Sequence, residues 1–370
     1  MASEGPGRAP NQSEPVPEWL KAEGEACDVV LSTRVRLARN LREVPFAAKA
    51  NKDQRRLSLD LCRDQLLVAG ISPRIAWQEL HEAAGVQRAL LVERHVISKQ
   101  LSKGRVGGAG VGGVDDPRGV AYSVPDERVA IMVNEEDHLR IQVIRSGLSL
   151  SQAWQQANDI DDRMEAGLAY AYSERFGYLT CCPTNVGTGL RMSAMLHLPA
   201  LRLTGDIEKV KRAAGDMNLA VRGFYGEGSD AVGDLFQISN QTTLGRSEAA
   251  ILESLEAQIL PRVIEYERLA RRDLVAKRRT MLEDHVWRAF GVLSNARFMT
   301  TEEAMQSLSL LRLGALLGVL PATPAMDLRA INLLLLLIQP AHLQRAVGQE
   351  LDQEQRRVAR ATLLRDRVRC

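Results

Sequence analysis

Two short segments of this 370-residue chain concentrate side chains that can do chemistry. Residues 134–140, Asn-Glu-Glu-Asp-His-Leu-Arg, place three acids, a histidine and an arginine directly after an apolar run. Residues 182–191 join Cys182 to a Gly/Thr-rich turn that ends at Arg191. Arginine suits polyphosphate oxygens because its planar guanidinium donates in a fork and stays charged. Carboxylates suit a cationic partner, so the pattern indicates phosphoryl transfer to or from a positively charged group.

Two further arginine-bearing segments complete the pattern. Upstream the chain reads Ser-Thr-Arg-Val-Arg at 32–36, and downstream Arg-Gly opens the segment 222–230. In order and spacing these four segments, with Ile-Ser-Asn at 238–240 and Leu-Gly at 244–245, resemble the ATP:guanido phosphotransferase (phosphagen kinase) superfamily. Within it they are most similar to the bacterial protein-arginine kinases (McsB type). The resemblance runs from about Asp28 to near the C-terminus.

Composition bounds what else the chain can be. It is 45% hydrophobic, which is enough for a large core, and its length allows two domains. A net charge of +2 gives no general case for binding nucleic acid or a membrane. The five cysteines are odd in number and have no CxxC spacing, so we predict neither disulfides nor a metal site. We therefore expect a cytoplasmic protein in a reducing compartment.

The elements that hold the motifs follow from the spacing of apolar residues. Residues 52–69 and 150–176 have a helical pattern, whereas 120–133, 140–144 and 235–238 are typical of strands. Short strands separated by helices, without regular βαβ units, indicate a mixed α/β (α+β) domain with an antiparallel sheet flanked by helices. The resemblance implies the same fold.

Three regions are predicted along the chain. Residues 1–17 are rich in Pro, Gly, Ser and Glu and are predicted to be a disordered tail. Residues 18–246 form the predicted catalytic domain. Residues 247–370 are predicted to form an all-helical C-terminal domain with a surface for dimerisation, and the resemblance implies phosphoarginine binding there. The glycine-dense stretch 103–119 lacks the Lys-Ser/Thr end of a P-loop, so we predict a flexible insertion.

The acceptor side needs acidic residues. A guanidinium is a poor nucleophile because its pKa is above 12, so carboxylates must orient it and take a proton. The resemblance implies Glu136 as the first and Asp230 as the second, where the family usually has glutamate. Cys182 matches the family's reactive cysteine, whose thiolate can orient the guanidinium. From the residues alone, a solvated acidic turn around Glu136 is an equal alternative.

The donor side is predicted to hold ATP, with Mg²⁺ carried by the nucleotide. Catalysis of phosphoryl transfer is mainly positioning and electrostatic stabilisation, which arginines supply. Taken singly, each arginine is as readily a surface salt-bridge residue, and His95 is as readily structural. The predicted nucleotide-contacting residues are Ser32, Thr33, Arg34, Val35, Arg36, His95, Arg140, Arg191, Met192, Ser193, Ala194, Met195, Arg222, Gly223, Phe224, Tyr225, Gly226 and Glu227.

Substrate size separates the members of the superfamily. Small-substrate phosphagen kinases carry a helical domain before the Ser-Thr-Arg-Val-Arg segment, which here begins at residue 32. The resemblance therefore implies a kinase that acts on exposed arginines of proteins. Two alternatives stay open. One is a kinase for a small guanidino substrate, and the other is a catalytically weak phosphoarginine reader or adaptor, which Asp230 would favour.

A C-terminal motif bears on regulation. The family's Arg-Asp-x-x-Arg-Ala reads Arg-Arg-Val-Ala-Arg-Ala at 356–361, so Arg357 replaces the acid. The resemblance implies regulatory phosphoarginine binding by Arg356 and Arg360, whereas a solvated basic helix is an equal alternative. It also implies stress-linked quality control, with a zinc-binding activator, a heat-shock repressor substrate and a Clp-type protease as partners.

Overall fold

The computed structural model describes residues 16–47, 49–104, 113–217, 219–223 and 232–369. Most of the predicted tail 1–17 and the centre of the glycine-dense stretch 103–119 lie outside these residues. The strands are β1 (Val30–Arg39), β2 (Ile75–Glu79), β3 (Gly119–Ser123), β4 (Val129–Val133), β5 (Leu139–Ser146), β6 (Tyr172–Ser173), β7 (Gly177–Tyr178), β8 (Leu190–His197), β9 (Leu219–Gly223) and β10 (Leu235–Asn240).

Eight of these strands form one antiparallel sheet in the order β2-β3-β4-β5-β1-β8-β10-β9. Strands β6 and β7 pair separately as a hairpin. The helices are α1 (Lys52–Val68), α2 (Gly85–Glu93), α3 (Lys99–Lys103), α4 (Leu150–Glu165), α5 (Pro199–Thr204), α6 (Ile207–Asp216), α7 (Glu248–Glu253), α8 (Leu260–Lys277), α9 (Arg279–Asn295), α10 (Thr301–Leu316), α11 (Leu328–Leu337), α12 (Pro340–Val347) and α13 (Gln353–Val368).

The central strand β1 divides its side chains between two faces, as a strand must. Arg34 and Arg36 lie on one face. Val35 and Leu37 lie on the other, where they are 0% and 1% exposed. That apolar face shares one hydrophobic core with α4 and with the helices that follow residue 247. The polar face is left to form a cleft.

The predicted fold class is confirmed: an antiparallel sheet is flanked by helices, and the described part after residue 247 is helical. The predicted helix 52–69 is confirmed as α1, which begins at a capping box in which Asn51 and Gln54 exchange hydrogen bonds. The division into domains at residue 247 stays a prediction.

The predicted helix over 150–176 is wrong in its second half. Helix α4 ends at Glu165, and residues 172–178 form the β6–β7 hairpin. The chain reverses over residues 174–176, and Gly177, which follows the turn, has a φ of 76° that favours glycine. A side chain there would also collide with the backbone of Gly187, since an added Cβ would lie 2.4 Å from its carbonyl oxygen.

No single described helix is long and apolar enough to cross a bilayer. Helices α11 and α12 pass that test only as a pair, and they meet at an angle of 88°. The apolar run 333–338 lies within and just after α11. Leu334, Leu335 and Leu336 are only 3–4% exposed there.

Arg39 ties four elements together behind the sheet. It is 1% exposed, and its Nη2 lies 2.5 Å from Oδ2 of Asp161 on α4. Its Nη1 donates to the carbonyl oxygen of Thr188 at 2.9 Å, and its guanidinium stacks 3.6 Å from the ring centroid of Tyr178. One cation therefore fixes β1, α4, the hairpin and the loop before β8.

We predict that Arg39→Met lowers the free energy of unfolding by about 3–5 kcal/mol, because Asp161 is left as a buried charge without its partner. The double variant Arg39→Met/Asp161→Leu should recover much of this loss, since no unpaired charge remains. Urea unfolding measures both. A loss of about 0–1 kcal/mol for the single variant, as at an exposed pair, would contradict the prediction.

Candidate functional site

Five arginines meet on the polar face of the sheet. Register explains why: Arg36 lies directly opposite Arg191, and Gln237 opposite Arg222, so their side chains share one face. Together they line one cleft of about 370 Å³. The five are Arg34, Arg36, Arg140, Arg191 and Arg222.

Like charges at this density perturb one another. Burial, with the nearby charges of Arg191 and Arg140, lowers the pKa of Arg34 to about 10. Burial and the neighbouring guanidinium groups also hold the pKa of Arg36 well below its usual value. The buried Nε–H of Arg36 has no acceptor among the residues described. A bound anion would relieve this repulsion, so the cluster is suited to a ligand with several negative charges.

The three consecutive acids of the 134–140 segment take different positions. Glu135 is fully buried, with its carboxylate 2.6 Å from Nη1 of Arg140. Asp137 is buried too, and its Oδ1 accepts hydrogen bonds from Asn40 Nδ2 and from the backbone N–H of Cys181, both at 2.7 Å. Glu136 lies between them, is partly exposed and lines the cleft.

These positions set the charge states. Burial raises the pKa of Glu136, and the neighbouring carboxylates of Asp137 and Glu135 add to this, against the opposing effect of Arg140. For Arg140 burial alone would lower the pKa, but the three acids outweigh it and raise the pKa above its usual value. Arg140 is therefore a fixed cation, and Glu136 is the acid of the motif that is placed to exchange a proton.

Hydrogen bonds to neighbouring parts of the chain fix the backbone of the 134–140 segment. Asn134 has a left-handed φ of 59°, and its side chain donates to the carbonyl oxygens of Arg55 and Pro117. His138 accepts from the backbone N–H of Leu41 at Nδ1 and donates from Nε2 to the carbonyl oxygen of Pro45. Burial lowers the pKa of His138 to about 4. His138 is thus a neutral structural residue.

Cys182 lies in the same cleft as the five arginines and Glu136. Its Sγ is 3.0 Å from Oγ1 of Thr184, which also lines the cleft. A thiol and a carboxylate therefore border the arginine cluster. The cleft combines a site for an anion with a neighbouring site for a cation.

His95 stands at the opposite border. Its ring packs edge-on against Trp19, with 4.7 Å between ring centroids, and its backbone φ is 62°. Burial, with the charges of Arg34 and Lys99, lowers the pKa of His95 to about 3, so the ring is neutral. Side chains of Ser32, Ser193 and Met195 line a narrow cavity next to this ring.

Not all predicted nucleotide-contacting residues face the cleft. Thr33 and Val35 alternate to the core face of β1, and Met192 and Ala194, which pair with Val35 and Thr33 on β8, do likewise; all four are buried. Only their backbone can serve the site. Gly223 ends β9 without lining the cleft. Residues Phe224, Tyr225, Gly226, Glu227 and Asp230 lie outside the described part of the chain.

The two predicted phosphoarginine-binding residues lie on α13, away from the cleft. Arg360 is buried and donates to the carbonyl oxygens of Ile338, at 2.8 Å, and Met299, at 2.9 Å. Arg356 donates to the carbonyl oxygen of Leu351 at 2.8 Å. Arg360 therefore ties α13 to two distant segments of the C-terminal part, whereas Arg356 contacts the chain just before its own helix.

Three of the cleft residues that sequence reasoning missed are polar or charged and bear on the arginine cluster. Gln237 accepts from Nη2 of Arg34 at 2.9 Å, and Glu135 fixes Arg140. Lys99 adds a cation at the start of α3. Gln237 stands out between two apolar residues of the predicted strand 235–238, which was an available signal. Lys99 had none, because a five-residue helix gives no pattern.

Two protein-family models match this chain. A family model described as ATP:guanido phosphotransferase, C-terminal catalytic domain, matches residues 68–270. A second, described as the protein-arginine kinase McsB C-terminal domain, matches residues 279–370.

Curated relatives match over nearly their whole length. A protein-arginine kinase of Symbiobacterium thermophilum is 46% identical over 95% of this chain and 96% of its own. One of Caldanaerobacter subterraneus subsp. tengcongensis is 44% identical over 90% of this chain and 95% of its own.

Solved structures of two kinases share the fold. A lombricine kinase matches with a TM-score of 0.56 and 26% identity over 71% of this chain and 73% of that one. A duplicated taurocyamine kinase of Schistosoma mansoni, with bound transition state analogue components, matches with a TM-score of 0.56 and 25% identity. That match covers 65% of this chain and 33% of the other.

Two adjacent residues test which face binds the ligand. We predict that Arg34→Met weakens MgATP affinity at least about 10-fold, or about 1.4 kcal/mol, because a guanidinium leaves the anion site. Thr33→Val, which is nearly isosteric and lies on the core face, should leave the affinity within about twofold. Isothermal titration calorimetry measures both. Equal losses in the two variants would contradict the assigned faces.

Proposed function

This chain belongs to the ATP:guanido phosphotransferase family, and from that premise we propose that it transfers the γ-phosphoryl group of ATP to arginine side chains of proteins. The observation that carries the proposal is one cleft in which five arginines adjoin Glu136 and Cys182. Phosphoryl transfer needs a polyanion and a guanidinium side by side, and this cleft offers complementary charge to both.

The arginine cluster would hold the triphosphate. Its guanidinium groups can donate to the oxygens on which charge builds up as the γ-phosphoryl group moves. The carboxylates that line the cleft, Glu135 and Glu136, both approach Arg140 rather than forming an oxygen cage. This suits Mg²⁺ that arrives with the nucleotide and adds positive charge between the phosphates.

Glu136 and Cys182 would hold the acceptor. A guanidinium nitrogen attacks the γ-phosphorus, the bond to the bridging oxygen breaks, and ADP leaves with that oxygen. The proton lost by the nitrogen passes to Glu136, whose raised pKa makes it a better base than an exposed glutamate. We assign Asp230 as the second carboxylate on the family resemblance alone.

Protein arginine is the proposed acceptor, rather than a small guanidino compound. The relatives that cover almost the whole chain are named protein-arginine kinases, and the C-terminal family model is theirs. By the same resemblance we propose a cytoplasmic homodimer in protein quality control. Its proposed partners are a zinc-binding activator, a heat-shock repressor and a Clp-type protease.

Mass spectrometry of a bulk protein substrate after incubation with MgATP, at a pH that preserves the P–N bond, tests the proposal. We expect phosphoarginine with the wild type and a loss of about 100-fold or more for Glu136→Ala, which removes the base. Glu302→Ala, at an exposed position at the start of α10, is the matched control. Absence of phosphoarginine in the wild type, with free arginine phosphorylated instead, would favour the small-substrate alternative.

We further propose that phosphoarginine binds weakly near α13, because Arg357 replaces the acid of the family motif. Arg357 stacks 5.2 Å from the ring centroid of Phe298 and offers no carboxylate to the ligand's guanidinium. Arg357→Asp should therefore tighten binding of free phosphoarginine several-fold. Arg356→Ala should weaken it, whereas Arg288→Ala on α9 should not. Calorimetric titration that finds equal affinity in all these variants would reject the site.

A further inference from the structure

A second, shallow cavity of about 360 Å³ adjoins the catalytic cleft. We call it the hairpin pocket, because the β6–β7 hairpin forms one wall and residues 243–248 form the other. Its lining includes the aromatic, apolar and cationic side chains of Tyr172, Arg175, Phe176, Tyr178, Leu244 and Arg246.

One loop separates the hairpin pocket from the cleft. Thr184, Asn185 and Gly189 line the cleft, whereas Gly187 and Thr188, from the same loop, line the hairpin pocket. Cys182 begins this loop. This loop is the rim of the cleft, and the hairpin pocket lies on its outer side. A polypeptide whose arginine enters the cleft beside Cys182 can cross the rim and reach the hairpin pocket.

The loop is fixed to both walls of the hairpin pocket. The backbone N–H of Tyr178 donates to the carbonyl oxygen of Gly187 at 2.8 Å. From the opposite wall, the hydroxyl of Thr243 donates to the carbonyl oxygen of Val186 at 2.8 Å. The hairpin pocket and the acceptor end of the cleft are therefore held at a constant separation, as docking of one chain in both would require.

Apolar surface is unusually exposed here. Tyr172 is 54% exposed, Phe176 43% and Leu244 54%, and they come together from two separate segments. Clusters of large apolar side chains that stay exposed commonly mark interaction surfaces. Aromatic side chains supply contact area to a partner at small cost in conformational entropy.

Charge gives the surface its selectivity. Among the residues described, neither Arg175 nor Arg246 has an ion-pair partner, and Arg175 rests on the ring of Phe176 at 4.9 Å. Glu248, the acid that lines the hairpin pocket, accepts a hydrogen bond from Trp154 Nε1 at 2.8 Å. The surface is thus cationic and aromatic. It would repel the target arginine and attract a carboxylate near it.

We propose that the hairpin pocket is a docking subsite for the substrate polypeptide, and that it selects arginines with an acidic residue close by in the sequence. The proposal rests on the proposed function and adds a substrate preference to it. The pocket takes residues that flank the target, while Glu136 and Cys182 take the target itself.

Single-arginine peptides test the preference. One carries glutamates on both sides of the arginine, one lysines and one alanines, and phosphoarginine formation is followed at saturating MgATP. With the wild type we expect KM to be at least about 10-fold lower for the glutamate peptide than for the lysine peptide. The double variant Arg175→Glu/Arg246→Glu should reverse this order, with kcat on the alanine peptide unchanged.

Arg288→Glu is the matched control, since Arg288 is an exposed arginine of α9 outside both cavities. It should keep the wild-type order of KM. Unchanged MgATP affinity and thermal unfolding would show that the double variant is folded.

Two results would overturn the inference. The first is a wild-type order of KM that the double variant keeps. The second is an equal loss of kcat on all three peptides, which would mean that the two arginines only support the loop. If the wild type phosphorylated none of the peptides and no bulk protein, the proposed function would itself fail, which is a distinct outcome.

Discussion

The constraint on which this structure depends is electrostatic: one face of a sheet must hold five guanidinium groups within a single cleft. Burial lowers the pKa values of Arg34 and Arg36, and repulsion between like charges, which is strong where water is scarce, lowers them further. The sheet can hold the cluster because strand register fixes each side chain and an apolar core backs the strands. The repulsion that opposes folding therefore favours binding of a polyanion.

The three consecutive acids of the 134–140 segment have three different functions. Glu135 neutralises Arg140, Asp137 fixes the backbone of Cys181, and Glu136 is left to face the cleft. The thiol, the carboxylate and the arginines are thus positioned by buried contacts rather than by the ligand. The loop that begins at Cys182 also forms the rim between the cleft and the hairpin pocket. The residues that hold the acceptor arginine and the pocket proposed to select it are therefore joined by one loop.

The arginine segments could be found from the sequence because each is contiguous in the chain. The full length of β1 was not predicted, although polar and apolar side chains alternate from Arg34 to Leu37. Because neighbouring residues of a strand face opposite sides, Thr33 and Arg34 lie on different faces of the sheet. A family motif transferred as one block assigns both residues to the ligand and misses this difference. Other features depend on long-range packing that no local pattern encodes. Gln237 reaches Arg34 only through strand register, and the helix predicted over 150–176 ends at Glu165, before the hairpin that residues 172–178 form.

In the proposed mechanism the arginine cluster holds the phosphoryl group that is transferred, while Glu136 and Cys182 hold the acceptor guanidinium. A crystal structure with MgADP, nitrate and an arginine-containing peptide tests it most directly, because planar nitrate imitates a phosphoryl group in transfer. We expect nitrate in contact with the cleft arginines and the peptide guanidinium within hydrogen-bond distance of Glu136 and Cys182. A guanidinium bound away from Glu136, or nitrate outside the arginine cluster, would contradict it.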